Sequence, residues 1–167
     1  MTASLGSGAR YAPRVADKTR STMTIDVPQS IIMAVIADFA AYPQWASGVR
    51  SAQVLSKGSD GRPERVRFSI NAGVIKDSYV LGYTWQGDDQ VRWELAERGS
   101  AVSEMSGAYL LEGLGGGTEV TYELAVGMSI PMPGMLKRRA EKTIVDTALK
   151  GLRNRAEKVA QDSGEDR

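Results

Sequence analysis

The sequence predicts one α+β domain over residues 18–160, a curved antiparallel seven-stranded sheet around a long C-terminal helix, with two short helices after the first strand. Two observations carry that expectation. A hydrophobic period of two runs through residues 49–128, with apolar residues at helical spacing before and after it. The strands also alternate apolar and polar faces, whereas a parallel sheet would show continuous apolar runs and intervening helices.

Residues 1–17, rich in Gly, Ser and Ala with little apolar patterning, read as a flexible tail, and so do residues 161–167. The run Val15-Ala16-Asp17-Lys18-Thr19 has the look of a gene product's beginning, which puts the expected natural start inside the first tail. Residues 20–27 alternate as a strand does, and Pro28 ends them. With φ fixed and no N–H to satisfy, Pro28 suits the first turn of a helix. Ile31, Ile32, Val35, Ile36 and Phe39 then recur at the spacing of one buried stripe. Ala40-Ala41-Tyr42-Pro43-Gln44-Trp45 interrupts that helix and opens a second short one around a rigid aromatic corner, expected to act as a fold-stabilising turn.

Residues 49–128 hold six strands, separated by breaks such as Lys57-Gly58-Ser59-Asp60-Gly61 and Gln86-Gly87-Asp88-Asp89. Over 75–85, Ile75, Tyr79, Leu81, Tyr83 and Trp85 share one face, against Lys76, Ser78, Gly82 and Thr84 on the other. In the last strand Val120, Tyr122, Leu124, Val126 and Met128 oppose Glu119, Thr121, Glu123 and Gly127. Interior Gly82 and Gly107 suit strong bending, and Gly113-Leu114-Gly115-Gly116-Gly117 reads as a hairpin rather than a phosphate loop, since no Walker lysine follows it. After Pro131-Met132-Pro133-Gly134, the stripe Met135, Leu136, Ala140, Ile144, Ala148, Leu149, Leu152, Ala156 and Val159 predicts the long helix. At about 25 residues it spans about 37 Å, enough to cross the sheet. Lys137, Arg138, Glu141, Lys142, Lys150, Arg153 and Lys158 are expected mostly on its other side.

Composition removes several functions. The 21 Lys plus Arg against 20 Asp plus Glu give a formal charge of +1, too even for the basic field of a nucleic-acid binder. Without cysteine or histidine there are no disulfides, no thiolate or imidazole metal ligands, and no imidazole base. No metal and no cofactor is expected. Residues 1–11 hold no apolar leader core, and no uncharged apolar run reaches the length of about 18 residues that crosses a bilayer. The expectation is a cytoplasmic protein with no integral membrane association.

The order of these elements resembles the START-like, or SRPBCC, helix-grip superfamily, which includes polyketide cyclases and lipid-transport proteins. The residues that carry the resemblance are Val27-Pro28, the run Ala37-Asp38-Phe39-Ala40-Ala41-Tyr42-Pro43-Gln44-Trp45, Gly117-Thr118-Glu119-Val120-Thr121-Tyr122, and Met135-Leu136-Lys137-Arg138. Within it, the chain is most similar to small bacterial, especially actinobacterial, polyketide cyclase/dehydrase-type proteins. The resemblance implies a hydrophobic cavity between sheet and terminal helix, entered near the start of that helix.

The residues offer liners for such a cavity: Phe68, Tyr79, Leu81, Tyr83, Trp93, Met105, Tyr109, Tyr122, Met128, Met132, Met135 and Leu136. Any one of them is also ordinary core material. The tyrosines matter most, because a buried hydroxyl needs a partner that a ligand can supply. Arg139 lies nearest the apolar stripe among the cations of the first helical turns and is the one expected to point inward. Asp77 shares a face with Tyr79, and Glu104 lies opposite Met105 and Tyr109 unless a bulge intervenes; these are the strand carboxylates available for acid–base work. The leading expectation is a carrier or sensor of a lipid-like or polyketide-like molecule. The alternatives are a cyclase/dehydratase and an interaction module like the ribosome-association toxin or coenzyme-Q-binding relatives.

Overall fold

Pro28 is where the chain turns from strand to helix. The computed structural model describes residues 18–72 and 75–165, so the tail expected at 1–17 lies outside the described residues. Strand β1, Thr19–Ile25, ends just before Pro28, whose carbonyl accepts the first helical N–H bonds, from Ile31 and Ile32. Helix α1 spans Gln29–Ala37 and buries Ile32, Met33, Val35 and Ile36. A single 3₁₀ turn, Phe39–Ala41, leads into α2, Tyr42–Trp45. The Tyr42 hydroxyl donates to the Ile36 carbonyl at 2.6 Å, folding α2 back on the end of α1.

Six strands follow: β2 Val49–Lys57, β3 Pro63–Ala72, β4 Ile75–Gln86, β5 Gln90–Glu97, β6 Val102–Leu114 and β7 Gly117–Met128. With β1 they form one seven-stranded sheet in the order β1-β7-β6-β5-β4-β3-β2, every pair antiparallel. Register shifts in the β2–β3, β4–β5 and β6–β7 ladders bend it. Gly107 has a packing reason: a Cβ there would stand 2.4 Å from the Trp93 ring, so the indole lies directly on the β6 backbone.

Helix α3, Gly134–Glu165, continues past the domain end expected at residue 160. It lies along the concave face against β1, β7, α1 and α2. Its buried face is Glu141, Val145, Leu149, Leu152 and Ala156, with Ala148 and Val159 packed beside it. This corrects the expected stripe over its first turns, because Met135, Leu136, Ala140 and Ile144 all face solvent. Glu141, expected among the outward charges, is only 2 % exposed. Its carboxylate accepts from Thr19 Oγ1 at 2.9 Å and from the Val126 N–H at 2.7 Å. Pairing between β1 and β7 stops at Thr19 opposite Leu124, so beyond that point the β7 edge has no strand partner among the described residues, and Glu141 bonds to it.

Farther along α3, Gly151 lies against α2. A Cβ at Gly151 would come within 2.6 Å of the Trp45 carbonyl oxygen. Gly151→Ala gains about 1 kcal/mol of helix propensity but forces the two helices apart, at a cost of about 1–3 kcal/mol for overpacking. The expected net effect is a lower urea midpoint, and a raised midpoint would show that the contact yields freely.

Candidate functional site

The concave face that α3 leaves uncovered is aromatic. Phe68, Tyr79, Leu81, Tyr83, Trp93, Tyr109 and Tyr122 are all buried there, as strand alternation requires. Their rings touch in sequence across the trough. Phe68 stacks on Tyr79 at 6.0 Å, Tyr83 meets Trp93 at 5.8 Å, and Trp93 meets Tyr109 at 5.5 Å and Tyr122 at 5.6 Å. Tyr109 and Tyr122 are nearly perpendicular at 4.6 Å. The helical pair adds rings not expected to line the site: Phe39 packs 4.9 Å from Tyr83, and Tyr42 lies 6.1 Å from Phe68.

The hydroxyls set this face apart from a simple core. Tyr42 donates to Ile36, whereas no hydrogen bond among the described residues reaches Tyr79, Tyr83, Tyr109 or Tyr122. Those four residues keep 5–8% of their full exposure, and Trp45 Nε1 is the enclosed side-chain polar atom that lacks a partner among the described residues. The four tyrosines therefore border space that water or a ligand atom can enter. Burial pushes all four phenols above their ordinary pKa. Neighbouring groups add to the shift: Tyr83 is opposed by Tyr122, Tyr79 and Tyr109, Tyr109 by Tyr122 and Tyr42, and Tyr79 by Asp77. At neutral pH the site thus presents a group of neutral O–H donors inside an apolar shell.

An opening lies beside them. Strands β5 and β6 pair only from Gln90↔Leu110 to Glu94↔Ser106, after which β5 follows β4 and β6 follows β7. Where they part, a cleft of about 520 Å³ forms. Trp93, Leu95, Met105 and Val126 give it an apolar wall, while Lys18, Arg92, Arg98 and Lys137 with Glu94 and Glu104 stand around it. Trp93 belongs to both the cleft wall and the ring cluster, and no tyrosine lines the cleft itself. A shallower groove of about 400 Å³ lies over α2 and the start of β2, lined by Trp45, Val49, Arg50 and Asn71 among others.

The other candidates fall in different places. Met105 and Met128 are half-buried against the core. Met132, Met135, Leu136 and Arg139 are exposed and do not reach the aromatic face. Glu104 is exposed at the cleft rim; the β6–β7 register shift precedes it, leaving it on the face opposite Met105 and Tyr109. Asp77 is on the concave face and buried, with its oxygens occupied. Oδ1 accepts from Ser78 N, Ser100 N and Ser100 Oγ, and Oδ2 from Ala101 N and Val102 N, at 2.7–3.2 Å. It is the anchor of the β5–β6 loop. Lys18, Arg98 and Lys137 were beyond sequence reasoning, because only the divergence of two strands brings them together.

Burial alone would raise the Asp77 pKa, but its backbone N–H donors outweigh that and hold it below the ordinary carboxylate value. Its contribution to stability is accordingly complete above about pH 4 and lost as pH falls through the lower folded-state value. Asp77→Asn, which turns an NH₂ toward amide donors, is expected to destabilise the fold by about 2–3 kcal/mol at neutral pH. The acid limb of its stability profile should also be flatter than wild type, which chemical denaturation between about pH 3 and pH 7 would reveal. Equal stability of the two proteins at pH 7 would contradict the anchor role.

Comparison with known proteins agrees with this architecture. The structure is similar to a START superfamily protein from Mycobacterium smegmatis, with 21% identity, a TM-score of 0.79, and 85% of this chain and 98% of that one covered. It is similar to the Zhui aromatase/cyclase from Streptomyces sp. R1128, at 15% identity and a TM-score of 0.70 over 88% and 97% of the two chains. The di-domain ARO/CYC StfQ of the steffimycin biosynthetic pathway is matched at 6% identity and a TM-score of 0.73, over 95% of this chain and 56% of that one. These likenesses show the helix-grip fold. No curated protein is detectably similar in sequence. The sequence itself matches the family described as polyketide cyclase / dehydrase and lipid transport over residues 25–153, most of the chain, and this protein belongs to that family.

Proposed function

We propose that the tyrosine-lined face binds a hydrophobic, carbonyl-bearing molecule of polyketide type and promotes its cyclisation and dehydration. One observation carries the reading: among the described residues the four hydroxyls of Tyr79, Tyr83, Tyr109 and Tyr122 have no protein partner, and they lie in a shell of apolar rings. A plain hydrocarbon chain would leave those donors unsatisfied, at a cost of about 1–3 kcal/mol each. Ketone oxygens spaced along a flat carbon skeleton satisfy them. The likeness to an aromatase/cyclase supports this reading, while the family, polyketide cyclase / dehydrase and lipid transport, accommodates both turnover and carriage.

The chemistry asks little of the protein. A carbon between two carbonyls enolises readily, so the enol of such a ligand can supply the carbon nucleophile once it is folded against a second ketone. As the C–C bond forms, the ketone oxygen takes a proton from a tyrosine O–H, and the proton leaving the enol oxygen returns to the tyrosines. The β-hydroxy ketone so formed enolises in its turn, and water is lost as the enol O–H gives its proton to water and the new hydroxyl leaves with a proton from a tyrosine O–H, which puts a C=C bond in the ring. Burial keeps these phenols neutral, so each can hold a hydrogen bond on the ketone oxygen as charge develops there; the raised pKa makes them weaker acids, and a neutral phenol does not remove a carbon-bound proton. Holding the chain in a reactive bend is the larger contribution.

A second reading, binding and delivery without turnover, is favoured by Asp77. Among the described residues Asp77 is the one buried carboxylate on the aromatic face, and its oxygens are filled by the β5–β6 loop and the start of β6, which leaves no free base beside the tyrosines among those residues. The test uses an aromatic polyketide and a fatty acid of similar length, followed by Trp93-containing intrinsic fluorescence and native mass spectrometry. The aromatic ligand is expected to bind, the fatty acid more weakly. Tyr83→Phe with Tyr122→Phe should weaken the aromatic ligand by about tenfold while leaving the protein folded. Retained binding with no conversion of a poly-β-ketone thioester would select the delivery reading. No uptake of either ligand would sink both.

A further inference from the structure

We propose that the first turns of α3 and the loop before them dock on the surface of an anionic lipid bilayer. The observations start from five apolar side chains left outside the fold. Ile130 is 76% exposed, Met132 40%, Met135 77%, Leu136 53% and Ile144 48%. They belong to one stretch of chain, and Leu136, Ala140 and Ile144 follow one another at four-residue spacing, so they form a single row on the outer side of the helix. Scattered single exposures need no explanation, but a contiguous row with three exposed apolar neighbours does.

Charge decides between occupants. The segment 129–144 carries Lys137, Arg138, Arg139 and Lys142, and its one acid, Glu141, is buried in the sheet contact. Lys142 is engaged by Asp146, while among the described residues Lys137, Arg138 and Arg139 have no carboxylate partner. At 100° per residue, Lys137 falls on one flank of the apolar row and Arg139 on the other. Long cationic side chains beside a projecting apolar ridge match an interface with apolar depth and negative headgroups, where the stems bury and the charges stay among phosphates. A second copy of this chain would bring the same cations against themselves. Among the described residues no helix is long and apolar enough to cross a membrane, so the contact is peripheral.

The location gives the contact a use. Lys137 also stands at the cleft between β5 and β6, so docking would bring that opening to the bilayer. The docking face stands on its own exposed residues, whereas its role in loading rests on the ligand-binding reading above. The test is flotation of the full chain with vesicles of pure phosphatidylcholine or with about one-third phosphatidylglycerol. Binding is expected to the anionic vesicles alone, and to weaken as salt rises from about 0.1 M to about 0.5 M. Arg138→Glu with Arg139→Glu should lower partitioning more than twentyfold, at roughly fivefold per charge removed, and Met135→Ser with Leu136→Ser by about tenfold. Both pairs are exposed, and ligand uptake by each variant is expected to remain that of wild type. Equal binding to neutral and anionic vesicles, or no binding to either, overturns the proposal. So does a stable dimer in sedimentation that dissociates on Met135→Ser with Leu136→Ser. Vesicle binding without any ligand uptake would leave the docking face standing and remove the ligand-binding reading.

Discussion

A long helix can lie across a curved sheet in more than one rotation, and the side chain that selects the observed one is Glu141. A carboxylate taken out of water must be met by hydrogen-bond donors or it destabilises the fold by several kcal/mol. Thr19 and the Val126 amide are such donors, and both sit at the point where β1 stops covering β7. Once Glu141 faces that edge, helix geometry fixes the rest. Val145, Leu149, Leu152 and Ala156 follow it inward, and Leu136, Ala140 and Ile144 are carried outward. Gly151 then completes the seating against the Trp45 carbonyl.

That seating also explains the aromatic face. Helix α3 occupies the side of the trough made by β1 and β7, and the concave sides of β3 to β6 are left to Phe68, Tyr79, Tyr83, Trp93 and Tyr109. A core selected for packing alone would use phenylalanine at these positions, because each unsatisfied buried hydroxyl detracts from stability. Five tyrosines gathered in one trough, four of them without a protein partner among the described residues, are a feature that stability does not account for. The bare Gly107 backbone beneath Trp93 belongs to the same arrangement, since it lets the indole lie flat beside both Tyr109 and Tyr122.

The strands were legible in the sequence because side chains alternate with period two whatever lies above the sheet. The faces of β4 and β7, the two short helices and the hairpin at Gly115 are all local consequences of residue order. Counting along β4 also puts Asp77 on the same face as Tyr79. Its occupation was not legible, since the amides of Ser100, Ala101 and Val102 reach it from a loop more than twenty residues away in sequence. The start of α3 failed for a related reason. Met135, Leu136 and Ile144 look like core and Glu141 looks like surface until the β7 edge beyond Thr19 is known.

The sequence by itself therefore determined which segments are strands and helices, that the sheet is antiparallel, and that its inner face is rich in tyrosine. Those properties depend on neighbours along the chain. Tertiary structure alone decided how α3 is rotated, that β5 and β6 part to form a cleft ringed by Lys18, Arg98 and Lys137, and that a row of apolar side chains is left outside. Each of those depends on where a buried charge finds its hydrogen bonds, and such partners come from residues distant in sequence.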